Sequence, residues 1–189
     1  MDDKVFSDYE VKETSIKFEE EEENFNRIGC VGSMEEAMNM KTISKKCEGI
    51  VVKQVTKGDG TGELKMNLHM RYKHFIKMYG MDFEGLKEGV HAYGKNSTHR
   101  RFSQVCKVLD EEDRIKYKAY PRCVITSGKA TKIENGAEEV AEMEITVGIM
   151  PDDEGNGEYE ALESELKDET IKTQWMTNFT PALVKETTA

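Results

Sequence analysis

The sequence predicts a mainly β protein: two packed antiparallel sheets, a sandwich or barrel, with one flanking α-helix and extended terminal arms. Three observations predict it. Several segments alternate apolar and polar residues with period two, the mark of half-buried strands. Turn residues separate these segments at hairpin spacing. A single stretch carries a helical period instead.

Along the chain, residues 1–25 hold ten acids and three bases and end in the run Glu19 to Glu23. Five like charges in a row repel one another, so this segment reads as an arm or loop. Ile28 to Val31 reads as a short first strand, and Met34 to Lys46 fits either period. Ile50 to Thr56 is β-branched and leads into Lys57-Gly58-Asp59-Gly60-Thr61-Gly62, which reads as a tight hairpin turn because its glycines supply positive φ. Beyond it Leu64, Met66, Leu68 and Met70 point one way, and Glu63, Lys65, Asn67 and His69 the other.

The helix comes next. Tyr72, Phe75, Ile76 and Tyr79 recur at i, i+3, i+4 and i+7, with Gly80 as its stop and His74 on the exposed face. A second hairpin follows, Phe102–Leu109 and Arg114–Tyr120 around Asp110-Glu111-Glu112-Asp113. Pro121 interrupts the ladder before Cys123–Thr126 continues it. After the Asn135-Gly136 turn, Ala141, Met143, Ile145, Val147 and Ile149 face inward while Glu142, Glu144 and Thr146 face outward. A loop over 151–157 precedes a last strand over Ile171–Met176. The tail through Phe179, Pro181, Leu183 and Val184 is too apolar for a free end.

Composition narrows the function classes. At 189 residues with 37% apolar and 34% charged residues, one core suffices, since a chain this size buries roughly 70% of its unfolded surface. No apolar run reaches the ~20 residues that span a bilayer, and Met1-Asp2-Asp3-Lys4 is unlike a secretion signal, so the expected compartment is a cytosol and no membrane partner is expected. Cys30, Cys47, Cys106 and Cys123 form no CxxC pair and read as free, mostly buried thiols. The net charge of −10 disfavours a duplex nucleic-acid ligand. The charge lies in alternating blocks. Residues 41–79 carry nine bases and three acids, 95–132 carry ten and four, and 134–169 carry one base and fourteen acids. Such blocks either are solvated faces or let neighbouring copies meet head to tail.

The residues that resemble reactive motifs lack the required context. Gly89 to Asn96 nearly spells a phosphate-cradling loop, but Asn96 stands where Ser or Thr holds magnesium, and no strand-and-helix unit frames it. His69, His74, His91 and His99 form no HExxH or HxH arrangement. Asp152, Asp153 and Glu154 depart from a calcium-loop spacing. Asn96-Ser97-Thr98 is a sequon without a secretory route. No catalytic residue, metal ligand or cofactor site is expected, and the chain reads as a non-enzyme.

Many short pieces together resemble the major tail, or tail tube, proteins of long-tailed bacteriophages. They include Cys47-Glu48-Gly49 through Lys57–Gly62 to His69, Phe75–Gly80, and Gly85-Leu86-Lys87-Glu88-Gly89-Val90 with Tyr93-Gly94-Lys95-Asn96-Ser97. They continue in residues 114–128, Ile133 to Glu142, Pro151-Asp152 with Tyr159, Asp168 to Trp175, and Phe179-Thr180-Pro181, so that the resemblance covers about residues 40–185.

The resemblance implies a tail-tube-like fold of two packed sheets, six copies per ring, and rings stacked into a tube that conducts DNA during ejection. It implies a virion location after synthesis in a bacterial cytoplasm. The implied partners are sister copies, tail initiator and terminator proteins, a tape measure protein, and DNA passing without specific contact. On that reading residues 1–26 are an acidic N-terminal arm. Residues 27–176 are the tube-forming domain, with its helix at about 71–80, and 177–189 are a C-terminal tail. Contact between subunits or rings is expected at Lys57, Gly58, Asp59, Gly60, Thr61, Gly62, Trp175, Phe179 and Leu183. Glu142 and Glu144 are expected to face the lumen, where carboxylates repel DNA, although the same two fit a solvated outer face. The alternatives are the tube of a contractile or bacteriocin-like particle, a monomeric β-barrel that binds a ligand, and an enzyme using Gly89–Asn96.

Overall fold

In the computed structural model, which describes residues 5–19, 24–136 and 138–186, the chain runs β1 (Glu10–Phe18), β2 (Asn26–Arg27), β3 (Gly29–Cys47), β4 (Ile50–Met70), α1 (Tyr72–Met78), β5 (Phe102–Leu109), β6 (Ile115–Ile125), β7 (Met143–Met150), β8 (Tyr159–Leu162) and α2 (Glu169–Asn178). All eight strands belong to one antiparallel sheet, ordered β2-β1-β5-β6-β7-β4-β3, with β8 paired to β6. The mainly β expectation holds, but two packed sheets are replaced by one. That sheet curls: Glu36 and Met34 on β3 reach Lys118 on β6 and Gln104 on β5, which lie several strands away in the ladder order. It stays open and is not a barrel.

The reason lies in β3 and β4. The Lys57–Gly62 stretch is not a turn but the interior of a 21-residue strand. The reversal sits at Glu48-Gly49, with φ of 49° and 83°, joining the paired Cys47 and Ile50. Two consecutive positive φ values are what a two-residue hairpin turn demands. Gly60 does take a positive φ, 77°, but inside the strand, and the glycines at 60 and 62 both allow close approach. A Cβ on Gly60 would lie 2.3 Å from the Gly155 carbonyl oxygen, and one on Gly62 2.8 Å from that of Ala37. The register also jumps there, from Met38↔Gly62 to Met40↔Gly58, so the segment is a bulge that receives the 151–157 loop.

Two cores flank the sheet. Inside the curl, Ile16 and Phe18 of β1, Leu64, Met66 and Leu68 of β4, and Ile145, Val147 and Ile149 of β7 are buried together with Phe75, Ile76, Met78 and Tyr79 from the helical segment. Outside it, Val105, Tyr117 and Ala119 pack against Trp175 and Phe179. Strand β6 serves both faces by alternation, Tyr117 and Ala119 outward and Tyr120 inward, and a bulge at Pro121 then shifts the parity. Tyr120 pairs with Gln104 but Cys123 pairs with Phe102, so the extra residue turns Cys123 and Ile125 into the inner core.

Several local expectations change. Glu10–Phe18, expected in an arm, is a strand paired to β5 along its length, because Thr14, Ile16 and Phe18 alternate inward. Residues 20–23 of the acidic run lie outside the described residues. Met34–Lys46 is strand. Helix α1 ends at Gly80 through the bonds Gly80 N–H to Lys77 and Met81 N–H to Ile76. Its burial is rotated from the expected stripe: Tyr72 is 67% exposed and His74 fully buried. Ile171–Met176 is the middle of α2, not a strand. Asp168 caps it by accepting from the Thr170 N–H at 2.8 Å, and Trp175 donates from Nε1 to the Lys118 carbonyl. Cys106 and Cys123 are buried, whereas Cys30 and Cys47 are exposed.

Candidate assembly surface

Beyond its last pairing with β7, at Gly62↔Ile149, strand β4 continues with β3 as its sole partner among the described residues. From Met38↔Gly62 to Cys47↔Ile50 the ribbon runs nine residues, roughly 30 Å at ~3.3 Å per residue. Residues 39–59 are exposed throughout. They include Met40 at 70%, Ile50 at 70%, Val52 at 57% and Ile43 at 56%. A two-stranded ribbon is marginal in water, and Thr42–Thr56 and Asn39–Thr61 hydrogen bonds at 3.0 and 2.9 Å are modest reinforcement.

One face of this arm has a defined pattern. Lys41 pairs with Lys57, Ile43 with Val55, and Lys45 with Lys53. Directly paired residues and those two apart share a face, so four ammonium groups surround one apolar pair. Like charges directly opposite each other destabilise a ladder. This face therefore carries a repulsive cost, eased at Lys41 by the nearby Asp59 carboxylate.

At the arm's root, Asp59 accepts from the Thr61 N–H at 2.9 Å and hydroxyl at 2.7 Å, and these bonds hold its carboxyl below the ordinary range. Gly60 and Gly157 pack backbone to backbone there. A buried polar cluster ties the base of β3 to the body. Lys118 Nζ lies 2.5 Å from Glu36 and 2.6 Å from Glu158, while Tyr120 donates to Glu36 at 2.7 Å. Burial and then the neighbouring Glu36 push the Glu158 carboxyl up to about 7. Burial also works against Glu36, but the bonds from Glu158, Lys118 and Tyr120 outweigh it and hold Glu36 low.

The other expected contact residues are placed as follows. Lys57, Gly58 and Asp59 lie on the exposed arm, and Thr61 at its root. Trp175 and Phe179 are 1% and 3% exposed inside the outer core, and Leu183 packs against the same cluster. Glu142 and Glu144 are exposed. The Glu142 carboxylate lies over Gly32 of β3, where a Cβ would meet it at 2.1 Å, and Glu144 sits opposite Asn67. Sequence reasoning missed the tip and length of the arm, the Lys118 cluster, and the exposed apolar residues Ile133 and Val140, at 84% and 82%. The lysine–apolar–lysine alternation of 41–45 and 53–57 was the available signal.

Among the described residues no group of three or more His, Cys, Asp or Glu side chains is placed to hold a metal ion. Residues 81–101, including Gly89–Asn96, form turns without helix or strand. His99 bonds the Ile125 carbonyl at 2.7 Å, and His74 is enclosed beside Phe18. Burial pushes the Cys106 thiol up to about 12, which suppresses its thiolate. Among the described residues no helix is long and apolar enough to cross a membrane.

The architecture is thus an open, curled antiparallel sheet with a long projecting ribbon. No protein-family model matches the chain, and no curated protein matches it. Its fold is similar to that of the anti-feeding prophage cap, a tube terminating cap solved by electron cryomicroscopy. The TM-score is 0.40 and the identity 9%, over 85% of this chain and 96% of that one.

Proposed function

We propose that this chain is a structural subunit of a phage-tail-like particle, which assembles with copies of itself into rings stacked as a tube. The observation that carries the reading is the arm. About 30 Å of ribbon leaves the body with Met40, Ile43, Ile50, Val51, Val52 and Val55 exposed, more apolar strand surface than a discrete monomer has reason to display. The resemblance of residues 40–185 to tail tube proteins supports the same reading and supplies its finer parts: six copies per ring, passage of DNA through the bore, a virion location, and initiator, terminator and tape measure partners.

Sedimentation velocity and negative-stain microscopy over a concentration series test it. Rings or tubes that grow with concentration are expected, with Ile43→Ser/Val55→Ser shifting the distribution to monomers while its circular dichroism is unchanged. Rings that do not lengthen would mark a subunit that ends a tube. A strictly monomeric protein at every concentration, indifferent to the arm substitutions, defeats the proposal.

A further inference from the structure

The geometry points to the landing site of the arm: the acidic segment before β7, residues 133–136 and 138–142, on a second copy of this chain. The inference rests on the self-assembly proposed above and identifies which two surfaces meet.

Three observations carry it. The first is complementarity. The arm presents Ile43 and Val55 between Lys41, Lys57, Lys45 and Lys53. The segment presents Ile133 and Val140, the most exposed large apolar residues described, beside Glu134, Glu138 and Glu139. Of these, Glu134 has a local partner, Lys132 at 2.8 Å, so Glu138 and Glu139 are the carboxylates to weigh. Each surface is apolar at its centre and oppositely charged around it, the combination that orients and selects a partner.

The second is position. Ile149 pairs with Gly62, where the arm departs, and Met143 pairs with Leu68, at the other end of the same ladder. The acidic segment enters β7 at Met143. Arm and segment therefore leave opposite ends of one rigid ladder, separated by about 20 Å of paired strand and pointing apart. A subunit cannot satisfy its own arm. Contact between two copies puts the arm of one against the far end of the next, a heterologous head-to-tail interface that closes into rings or continues as a filament.

The third is the cost already present in the isolated subunit. Two lysine pairs face each other across the arm; Asp59 lies near Lys41 at the root, but the Lys45–Lys53 pair toward the tip has no carboxylate two residues away on either strand. Glu138 and Glu139 of a neighbour would relieve both.

A charge swap tests the pairing. One variant carries Lys45→Glu and Lys53→Glu, the other Glu138→Lys and Glu139→Lys. Each alone should weaken self-association at least roughly tenfold by sedimentation, because the swapped positions of arm and segment then bear the same sign. Mixed in equal amounts, the two should co-assemble to near the wild-type level, since every arm in an alternating chain again meets an opposite charge. Rescue on mixing supports the inference. Loss in the arm variant with no effect of the segment variant overturns it while leaving self-assembly intact, the arm landing elsewhere. Failure of the wild type to associate at all is the failure of the proposed function itself.

Discussion

At the scale of single residues, the Lys118 cluster sets a sign that can be measured. Glu36, Glu158 and Lys118 meet with Tyr120 in a mostly enclosed site, with the more exposed Glu160 at 3.7 Å, so the two enclosed carboxylates share one ammonium. Glu158, pushed up to about 7 by burial and Glu36, is bound to its proton more tightly in the folded chain than in the unfolded one. Its contribution to stability is therefore complete below its ordinary value of about 4.5 and is lost as pH rises through 7. The low-held Glu36 acts in the opposite sense, but below that window, as its stability is lost on acidification. Between pH 5 and 8 the Glu158 effect governs, on the order of 1–3 kcal/mol. Urea unfolding at pH 5 and pH 8 should show the wild type less stable at the higher pH and Glu158→Gln nearly level. An equal slope in both proteins would place the titrating group elsewhere. Legibility at this scale was uneven. Ile145, Val147 and Ile149 declared themselves by alternation, and all three are buried. His74 did not, because it is buried beside Phe18 of β1 on a helix face that periodicity alone marks as polar.

At the scale of elements, errors concentrate where a local signal has two physical meanings. Glycines at 58, 60 and 62 meet the demand of a tight turn, and equally the demand of a strand on which another backbone rests. Only the tertiary approach of Gly155 and Gly157 decides for the second. Ile171 to Met176 carries β-branched residues, yet Asp168 as cap and the spacing of Ile171, Trp175 and Phe179 build a helix whose one apolar edge meets Tyr117 and Ala119. The strand 64–70, α1 with its glycine stop, and the β5–β6 hairpin were legible because pattern and turn chemistry agree there, whereas the hairpin placed at Lys57–Gly62 was not one, since its two halves are a single strand. The arm, which emerges once β3 and β4 are known to be continuous, should behave as a separately opening unit. A ribbon with no packed face opens at little cost compared with the body, and Lys41, Lys45, Lys46, Lys53 and Lys57 are all exposed on it. In dilute solution trypsin should cut first within 41–57, as read by mass spectrometry, leaving the body folded. Under assembling conditions the same bonds should be protected several-fold. First cuts in the body, or equal rates in both conditions, would contradict an arm that is covered in the assembly.

For the whole molecule, charge acts in two opposing ways, and ionic strength separates them. The chain carries a net charge of −10, so copies repel one another at long range. The arm, with five lysines against Glu48 and Asp59, is the local exception that meets acidic surface. The Debye length falls from about 10 Å at 0.1 M to about 3 Å at 1 M salt. Added salt therefore screens both the repulsion, which favours association, and the arm's attraction, which opposes it. Contact pairs at a few ångströms outweigh diffuse repulsion where lysines and carboxylates are brought together, so wild-type assembly should weaken between about 0.05 and 0.5 M sodium chloride. A variant with Lys41, Lys45, Lys53 and Lys57 all changed to Gln keeps Ile43 and Val55 but removes most of the local attraction. Its residual association rests on apolar contact against net repulsion, and should strengthen over the same salt range. A change of sign between the two proteins, followed by light scattering, is the expected result. If both respond in the same direction, the arm's lysines do not contribute to the interface, and the apolar strip alone must account for it.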